Sequence, residues 1–425
     1  MRNLILSIVI LMSLFAYPQQ KNGPRYYNKL AVQAYLKHDY KEFLKNAKNA
    51  FQLSNTHQSY IYNLAIAYLL NNEVEKSLKT LKRGLDYGLV YPLEGDKDLD
   101  SVRNLEEFKR LLKQNSINKK EKVVSKTVAT LPVKQVIAEG LGYDSKDSTF
   151  FISSIYNNRI YQVDRNKNIV WESNNAMTGS ISGIKVDRKN NLLWCTFVQQ
   201  PQSKYYIDSL DGNSGIICYD LKTKEILHNI SVKKDSLGKH WFGDLILDSK
   251  GNIYASDSYA NKIYKFSPPL FYPTVINTAN DIINMQGMTF TTGDKYLIFA
   301  DYTSGLYRYD TEASEVIKIK NETNNTLLGI DGIYLYKDDK IIVVQNGINP
   351  QRILEVTFNK DFTIANKLDV LEVNNPDFDE VTLGTISNGS FYFIANSQWG
   401  KFKNNGDIFD KADFNDIIIK ELKLD

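Results

Sequence analysis

The chain has 425 residues, of which 52 are Lys or Arg and 49 are Asp or Glu, for a formal net charge of +3. That near-balance, with no basic block interleaved with aromatics, excludes nucleic acid as an expected partner, and the length allows two or three domains with a sizeable core. Twenty-seven tyrosines and twenty phenylalanines favour strands over much of the chain.

The opening stretch, "MRNLILSIVILMSLFAYPQQ", carries a basic Arg2 and then an apolar run from Leu4 to Phe15. The run is too short to span a bilayer comfortably, and polar residues follow it at once. It predicts a secretory signal peptide over residues 1–20, cleaved near Ala16 to Gln20, and an exported protein, periplasmic or secreted, with no membrane span after cleavage. An uncleaved anchor is the alternative, because Leu14 and Ala16 make a poor small-x-small cleavage site. Further on, Cys195 and Cys218 lie in apolar strand-like contexts, "LLWCTF" and "GIICYD". They read as buried free thiols, although an oxidising compartment permits a disulfide between them.

From Tyr26 to about Gln114 the pattern is helical. "KLAVQAYLKHDYKEFLKNAKNAF" (Lys29 to Phe51) aligns with "NLAIAYLLNNEVEKSLKTLKRGL" (Asn63 to Leu85) at a constant offset of 34 residues. Leu30 falls on Leu64, Ala31 on Ala65, Leu36 on Leu70 and Leu44 on Leu78. The period, with a small residue in the first helix and a polar break between helices, resembles the tetratricopeptide repeat. "DLDSVRNLEEFKRLLKQ" reads as a capping helix. The expected division is a tetratricopeptide-like α-helical domain over 21–115, a charged linker over 116–128, and a β domain over 129–425. Two repeats and a cap are marginal alone, so the helices are expected to lean on the rest of the protein, and to offer a surface for a protein partner.

Beyond the linker, six segments share one design of short strands joined by Asp- or Gly-containing turns. They begin "EGLGYD" at Glu139, "SGIKVD" at Ser182, "GDLILD" at Gly243, "QGMTFT" at Gln286, "DGIYLY" at Asp331 and "DEVTLG" at Asp379. Four short strands every forty to fifty residues is the pattern of a β-propeller, so the fold class is mainly β, a six-bladed propeller behind a small helical domain. The last segment ends the chain at its third strand. Its missing outer strand is expected from "KVVSKTVATL", ahead of the first blade, in a clasp that hides an otherwise open edge.

The first residues of the innermost strands gather at one mouth of the central channel. Strand alternation then sends Glu139 and Asp331 into the channel, and Asp244 and Glu380 between blades unless the strand starts are bulged. Asp244 is expected to close a turn or bridge blades. Glu139 and Asp331, with the amide of Gln286 beside the latter, form an oxygen set suited to a hard divalent cation, which would polarise an ester or lactone carbonyl. Polar rings in propeller channels also serve merely to bind water.

"EGLGYD" in the first blade, "QGMTFTTGDKYLIFADYTSGLYRYD" in the fourth and "DGIYLYKDDKIIVV" in the fifth resemble the senescence marker protein/gluconolactonase family, over about 290 residues from Glu139 onward. The resemblance implies a calcium or zinc ion held by Glu139, Gln286 and Asp331. It implies hydrolysis of a lactone or ester, with Asp331 as base. Two departures stand out: Gln286 replaces the family's Asn, and Gly243 stands where a second Asn commonly meets substrate or water.

His240, in "GKHWFGD", leads into the third blade and is a candidate proton shuttle, the alternative being a solvated loop histidine. Trp241 beside it is either a stacking wall for a sugar-like ligand or a blade cap. No G-x-S-x-G elbow and no glycine-rich phosphate loop is present, so serine hydrolase and nucleotide-dependent chemistries gain no support. Two functions follow as expectations: a metal-dependent lactonase or esterase, and a non-catalytic propeller that binds a small ligand or a protein partner.

Overall fold

Secondary structure follows the two periodicities in order, helices over residues 24–118 and then strands to the C-terminus. The structure, a computed structural model, describes residues 23–174, 178–236, 238–279 and 281–424. The expected signal peptide lies outside the described residues. Among the described residues no helix is long and apolar enough to cross a membrane.

The helical unit contains α1 (Pro24–Leu36), α2 (Tyr40–Leu53), α3 (Gln58–Leu70), α4 (Val74–Asp86) and α5 (Glu106–Asn118). The starts of α1 and α3, and of α2 and α4, reproduce the 34-residue offset. So do the left-handed residues His38 (φ 59°) and Asn72 (φ 65°), which turn the chain between the helices of each hairpin. Pro24 opens α1 with the φ it already prefers, and the Asp39 carboxylate caps α2 by accepting the Glu42 N–H at 3.0 Å. Small residues, among them Ala31, Ala47, Ala50, Ala65 and Ala67, are fully buried and let the helices approach closely. Residues 321–328 and 348–350 from the later chain also belong to this unit. There the Gln58 amide donates to the carbonyls of Val90 (2.8 Å) and Asn349 (2.9 Å) and accepts the Asn349 N–H (2.8 Å).

The second unit is the six-bladed propeller. Blades 1 to 5 begin with the inner strands Ala138–Asp144, Ser180–Asp187, Phe242–Leu247, Met285–Phe290 and Ile330–Lys337, each followed outward by its own next strands in antiparallel order. Blade 6 is composite: Gly384–Ser387, Ser390–Ile394, Ile417–Lys423 and, outermost, Lys126–Leu131 from before blade 1. The clasp is therefore the one the sequence predicts, closed by Lys126–Leu131 running antiparallel to the last strand. Its lead-in is pinned by a buried carboxylate, Glu372, which accepts the N–H (2.7 Å) and hydroxyl (2.7 Å) of Ser125 and the N–H of Val124 (3.2 Å).

A second buried carboxylate, Glu421, ties the clasp to blade 6. Burial alone would raise its pKa. Lys423 at 2.9 Å, the hydroxyls of Ser390 (2.9 Å) and Tyr392 (3.1 Å), and Lys126 at 3.3 Å outweigh that and hold it at about 2. A depressed carboxylate stabilises the fold above its unfolded pKa of about 4 and loses that contribution as pH falls toward its folded value. Because both lysines are largely exposed, the contribution is about 1–2 kcal/mol. Glu421→Gln should lower stability by that amount at pH 7, and the gap to the parent should close between pH 5 and pH 2 in denaturant titrations. A gap unchanged across that window would remove the carboxylate from the clasp's energetics.

The sixth inner strand departs from expectation. It starts at Gly384, not Asp379, and the preceding residues run irregularly, with Glu380 in the left-handed region at φ 65°. That twist reverses the expected facing. Asp379 lies exposed beside Lys401 (3.3 Å), and Glu380 joins the channel carboxylates. Cys195 and Cys218 are buried, free and on opposite faces of their sheet, one packed with Ile184 and Phe197, the other with Phe242 and Tyr264, so the disulfide that compartment alone would permit does not form.

Candidate functional site

Each of the first five inner strands opens with the same β-bulge: three residues advance on the inner strand while its partner advances two. The bulges lie between Ala138 and Leu141, Ile181 and Ile184, Phe242 and Leu245, Met285 and Met288, and Ile330 and Ile333. The doubled pairs are Glu139-Gly140, Ser182-Gly183, Gly243-Asp244, Gln286-Gly287 and Asp331-Gly332. A bulge leaves an N–H without its ladder partner, and hydroxyls on the second strand take it: Ser153 from Gly140 (2.7 Å), Thr196 from Gly183 (2.8 Å), Ser256 from Asp244 (3.3 Å). In blade 3 the usual order of side chain then glycine is inverted, so Gly243 offers nothing to the channel and Asp244 carries the carboxylate.

The bulges set aside strict alternation and, with the left-handed backbone at Glu380, bring Glu139, Asp244, Asp331 and Glu380 into one shared field. Burial first, then the Asp331 charge, push Glu139 well above the usual carboxylate range, against a hydrogen bond from Trp399. Burial likewise lifts Asp331 to about 6, against hydrogen bonds from Asn346 and Thr382 and with the Asp244 charge adding. Burial and the charges of Asp331 and Asp379 lift Glu380 to about 8. Asp244 bridges blades 2 and 3: its Oδ1 lies 3.8 Å from the Lys185 ammonium. Its buried Oδ2 has no hydrogen-bond partner among the described residues. Lys185 also sits 5.3 Å from the centre of the Tyr334 ring, whose hydroxyl accepts the Gly384 N–H at 2.6 Å.

Asp331 is held in two layers. Its Oδ2 accepts from Asn346 Nδ2 (2.8 Å) and Thr382 Oγ1 (3.3 Å), and the Tyr302 hydroxyl in turn donates to Asn346 Oδ1 (2.9 Å). Glu139 Oε2 accepts the Trp399 indole N–H at 2.8 Å. Trp399 lies 6.2 Å from Trp241, which makes an edge contact with Tyr259. Gln286 donates to Asn284 Oδ1 at 2.7 Å, which turns its own carbonyl oxygen away from that bond, and the next residue, Gly287, abuts the Asp331 backbone.

His240 is not the solvated loop residue of one expectation. It is fully buried, its Nδ1 2.7 Å from Asp257 Oδ2, and its principal charged partners are Asp257 and Asp235 rather than the channel carboxylates. Asp257 also accepts the Trp241 N–H at 3.0 Å, so the pair fixes the lead-in to blade 3. Trp241 is itself 7% exposed. The residues missed from sequence are Asn346, Thr382, Tyr302, Lys185 and Trp399. Asn346 had a signal, since it directly follows its blade's second strand where Ser258 and Tyr302 follow theirs; Trp399 comes from an insert outside the repeat and had none.

Among the described residues no three His, Cys, Asp or Glu side chains converge as a metal-ligand cluster. Two carboxylates and an amide carbonyl, completed by water or substrate, remain a donor set of the hard-oxygen kind. The mutual repulsion of the carboxylates and the orphaned Asp244 Oδ2 are what a divalent cation would relieve, so the residues fit one.

No family model and no curated protein matches the chain. Among solved structures it is similar to a luciferin-regenerating enzyme (11% identity, 68% of this chain and 92% of that one, TM-score 0.45). It is also similar to a gluconolactonase of Xanthomonas campestris (11%, 71% and 95%, 0.45) and a hydrazine synthase of Kuenenia stuttgartiensis (13%, 62% and 76%, 0.44). At such identities the likeness concerns the fold alone; this chain's own strand pairing makes it a six-bladed β-propeller.

Proposed function

We propose that the channel hydrolyses a lactone or ester with a divalent cation, calcium or zinc, held by Glu139, Gln286 and Asp331. The observation that carries this reading is that four carboxylates share one field in the channel, with the Lys185 ammonium beside only one of them, Asp244. When bound, such a cation supplies Lewis-acid polarisation of the carbonyl. Asp331 is placed to accept a proton from water, with Asn346 and Thr382 fixing one oxygen and leaving the other to the site. Glu380, at about 8, keeps its proton at pH 7 and is suited to give it to the leaving oxygen. His240, enclosed against Asp257, is assigned no step.

A second reading, a non-catalytic propeller that binds a sugar-like ligand, is favoured by the closely spaced Trp241 and Trp399 rings and by the bare Gly243. In either reading the helical hairpins are proposed as the contact surface for a protein partner.

Elemental analysis of the purified protein after addition of calcium or zinc, beside a Glu139→Gln, Asp331→Asn double variant, separates the two. The hydrolase reading expects one cation per chain, lost in the variant. It also expects turnover of a lactone or aryl ester that falls at least about 100-fold in the variant. A parent that takes up neither metal and turns over none of the screened lactones or esters sinks the hydrolase reading and leaves the binder.

A further inference from the structure

We infer that Trp399 is a positioning residue that couples access to the channel with the freedom of Glu139. Its indole N–H holds one oxygen of Glu139 at 2.8 Å, and its ring meets that of Trp241. The inference rests on the proposed reading only where it treats Glu139 as a cation ligand.

Trp399 comes from residues 395–416, an insert between the second and third strands of blade 6. The equivalent connections in blades 1, 3 and 4 are tight turns. The insert is anchored over blade 1: Phe402 packs on Tyr156 at 4.8 Å and on Phe414 at 5.4 Å, in a cluster with buried Ile137 and Ile155. Its base is fixed by Gln398, in the left-handed region at φ 68°, whose side-chain oxygen accepts from Lys401 Nζ (2.8 Å) and the Asn415 N–H (3.0 Å). These bonds hold the indole over the start of the Glu139 strand.

Trp241 stands on blade 3, which in a ring of six lies opposite blade 6, so the two rings meet across the mouth. Their centres are 6.2 Å apart with the planes inclined at 36°. A flat ligand sandwiched between two rings needs about 7 Å, two van der Waals contacts. A ligand therefore enters by moving the rings apart. Trp241 is the more enclosed member, 7% exposed on a lead-in whose backbone N–H is bound by Asp257, whereas Trp399 is part-exposed on the insert, so the moving member is Trp399. When Trp399 leaves, Glu139 loses its donor. Opening the mouth and releasing the carboxylate are one event, which keeps Glu139 engaged until a ligand arrives.

The chain has four tryptophans, so protein labelled with ¹⁵N-tryptophan gives four indole N–H signals, and Trp399→Phe identifies that of Trp399. Glu139→Gln, without any metal, is expected to move the Trp399 signal while those of Trp171 and Trp194 stay in place. Calcium chloride is expected to move the signals of Trp399 and Trp241 together. Trp399→Phe, which keeps a ring but no donor, is expected to bind calcium about tenfold more tightly, because no indole hydrogen bond then has to be given up when Glu139 turns to the cation. A Trp399 signal indifferent to Glu139→Gln overturns the inference, as does an unchanged calcium affinity in Trp399→Phe. If Glu139→Gln moves the signal but the parent binds no calcium, the positioning role stands and the cation reading fails. Should Trp399→Phe not fold, seen as loss of the other three signals, Trp399→Leu, which also lacks a donor, replaces it.

Discussion

Gly140→Ala is expected to destabilise the propeller by more than about 3 kcal/mol, whereas Gly243→Ala, in the bulge of another blade, should change stability by less than about 1 kcal/mol. A Cβ on Gly140 would stand 2.2 Å from the Ser182 carbonyl oxygen and 3.0 Å from the Ile184 nitrogen. Both are backbone atoms of the neighbouring blade, and Ile184 is locked in register opposite Cys195, so nothing flexible is there to give way. On Gly243 the same atom meets only the Ser258 hydroxyl, at 3.4 Å. Neither glycine has a positive φ, so backbone strain is equal and the contrast isolates the approach of one blade to the next. Denaturant midpoints of the two variants read it directly. Equal losses would mean that the inner strands part easily, and that the bulges are not where the ring is tight.

That contact explains how much of the molecule was legible beforehand. A glycine after the channel residue recurs in blades 1, 2 and 4 because each inner strand crowds the next, and in blade 5 because the ring of its own Tyr334 stands there; a recurrence every forty to fifty residues is visible without structure. The clasp was legible for a related reason: an incomplete last blade leaves an open edge, and only one unassigned strand-like stretch precedes the first blade. What alternation could not supply is the bulge. It places Asp244 within the field of Glu139 and Asp331, when a regular strand would have turned it away. Glu380 was misplaced because its left-handed backbone is set by the irregular entry to blade 6, which no period marks. Lys185 and Tyr334 read as ordinary strand residues until the ring closes and sets them face to face across the channel. Trp399 lies in an insert whose path is set by where Phe402 packs, and that is a tertiary fact.

The acidic channel should make the cation-free protein less stable as the pH rises, opposite in sign to the clasp. Glu139, Asp331 and Glu380 all have folded pKa values above their unfolded ones, Asp331 at about 6 and Glu380 at about 8. Between about pH 4 and pH 8 the folded state therefore binds more protons than the unfolded state, and stability falls as those protons leave. The groups share one field and release protons jointly, so a loss of a few kcal/mol, on the order of one or two pKa units in all, is the expected result. Lys185 offsets part of it through Asp244, and Lys185→Met should steepen the fall, since removing one member of a buried pair strands the other. Calcium at saturating concentration should flatten it, because a bound cation stabilises the ionised carboxylates and adds its own binding free energy to the folded state. Unfolding midpoints measured from pH 5 to pH 8.5, with chelator and with calcium, give the two curves. If they diverge with rising pH, a cation belongs among these carboxylates. If both fall together, the channel tolerates its repulsion unaided, and if neither falls, Lys185 and the surrounding amides already neutralise it.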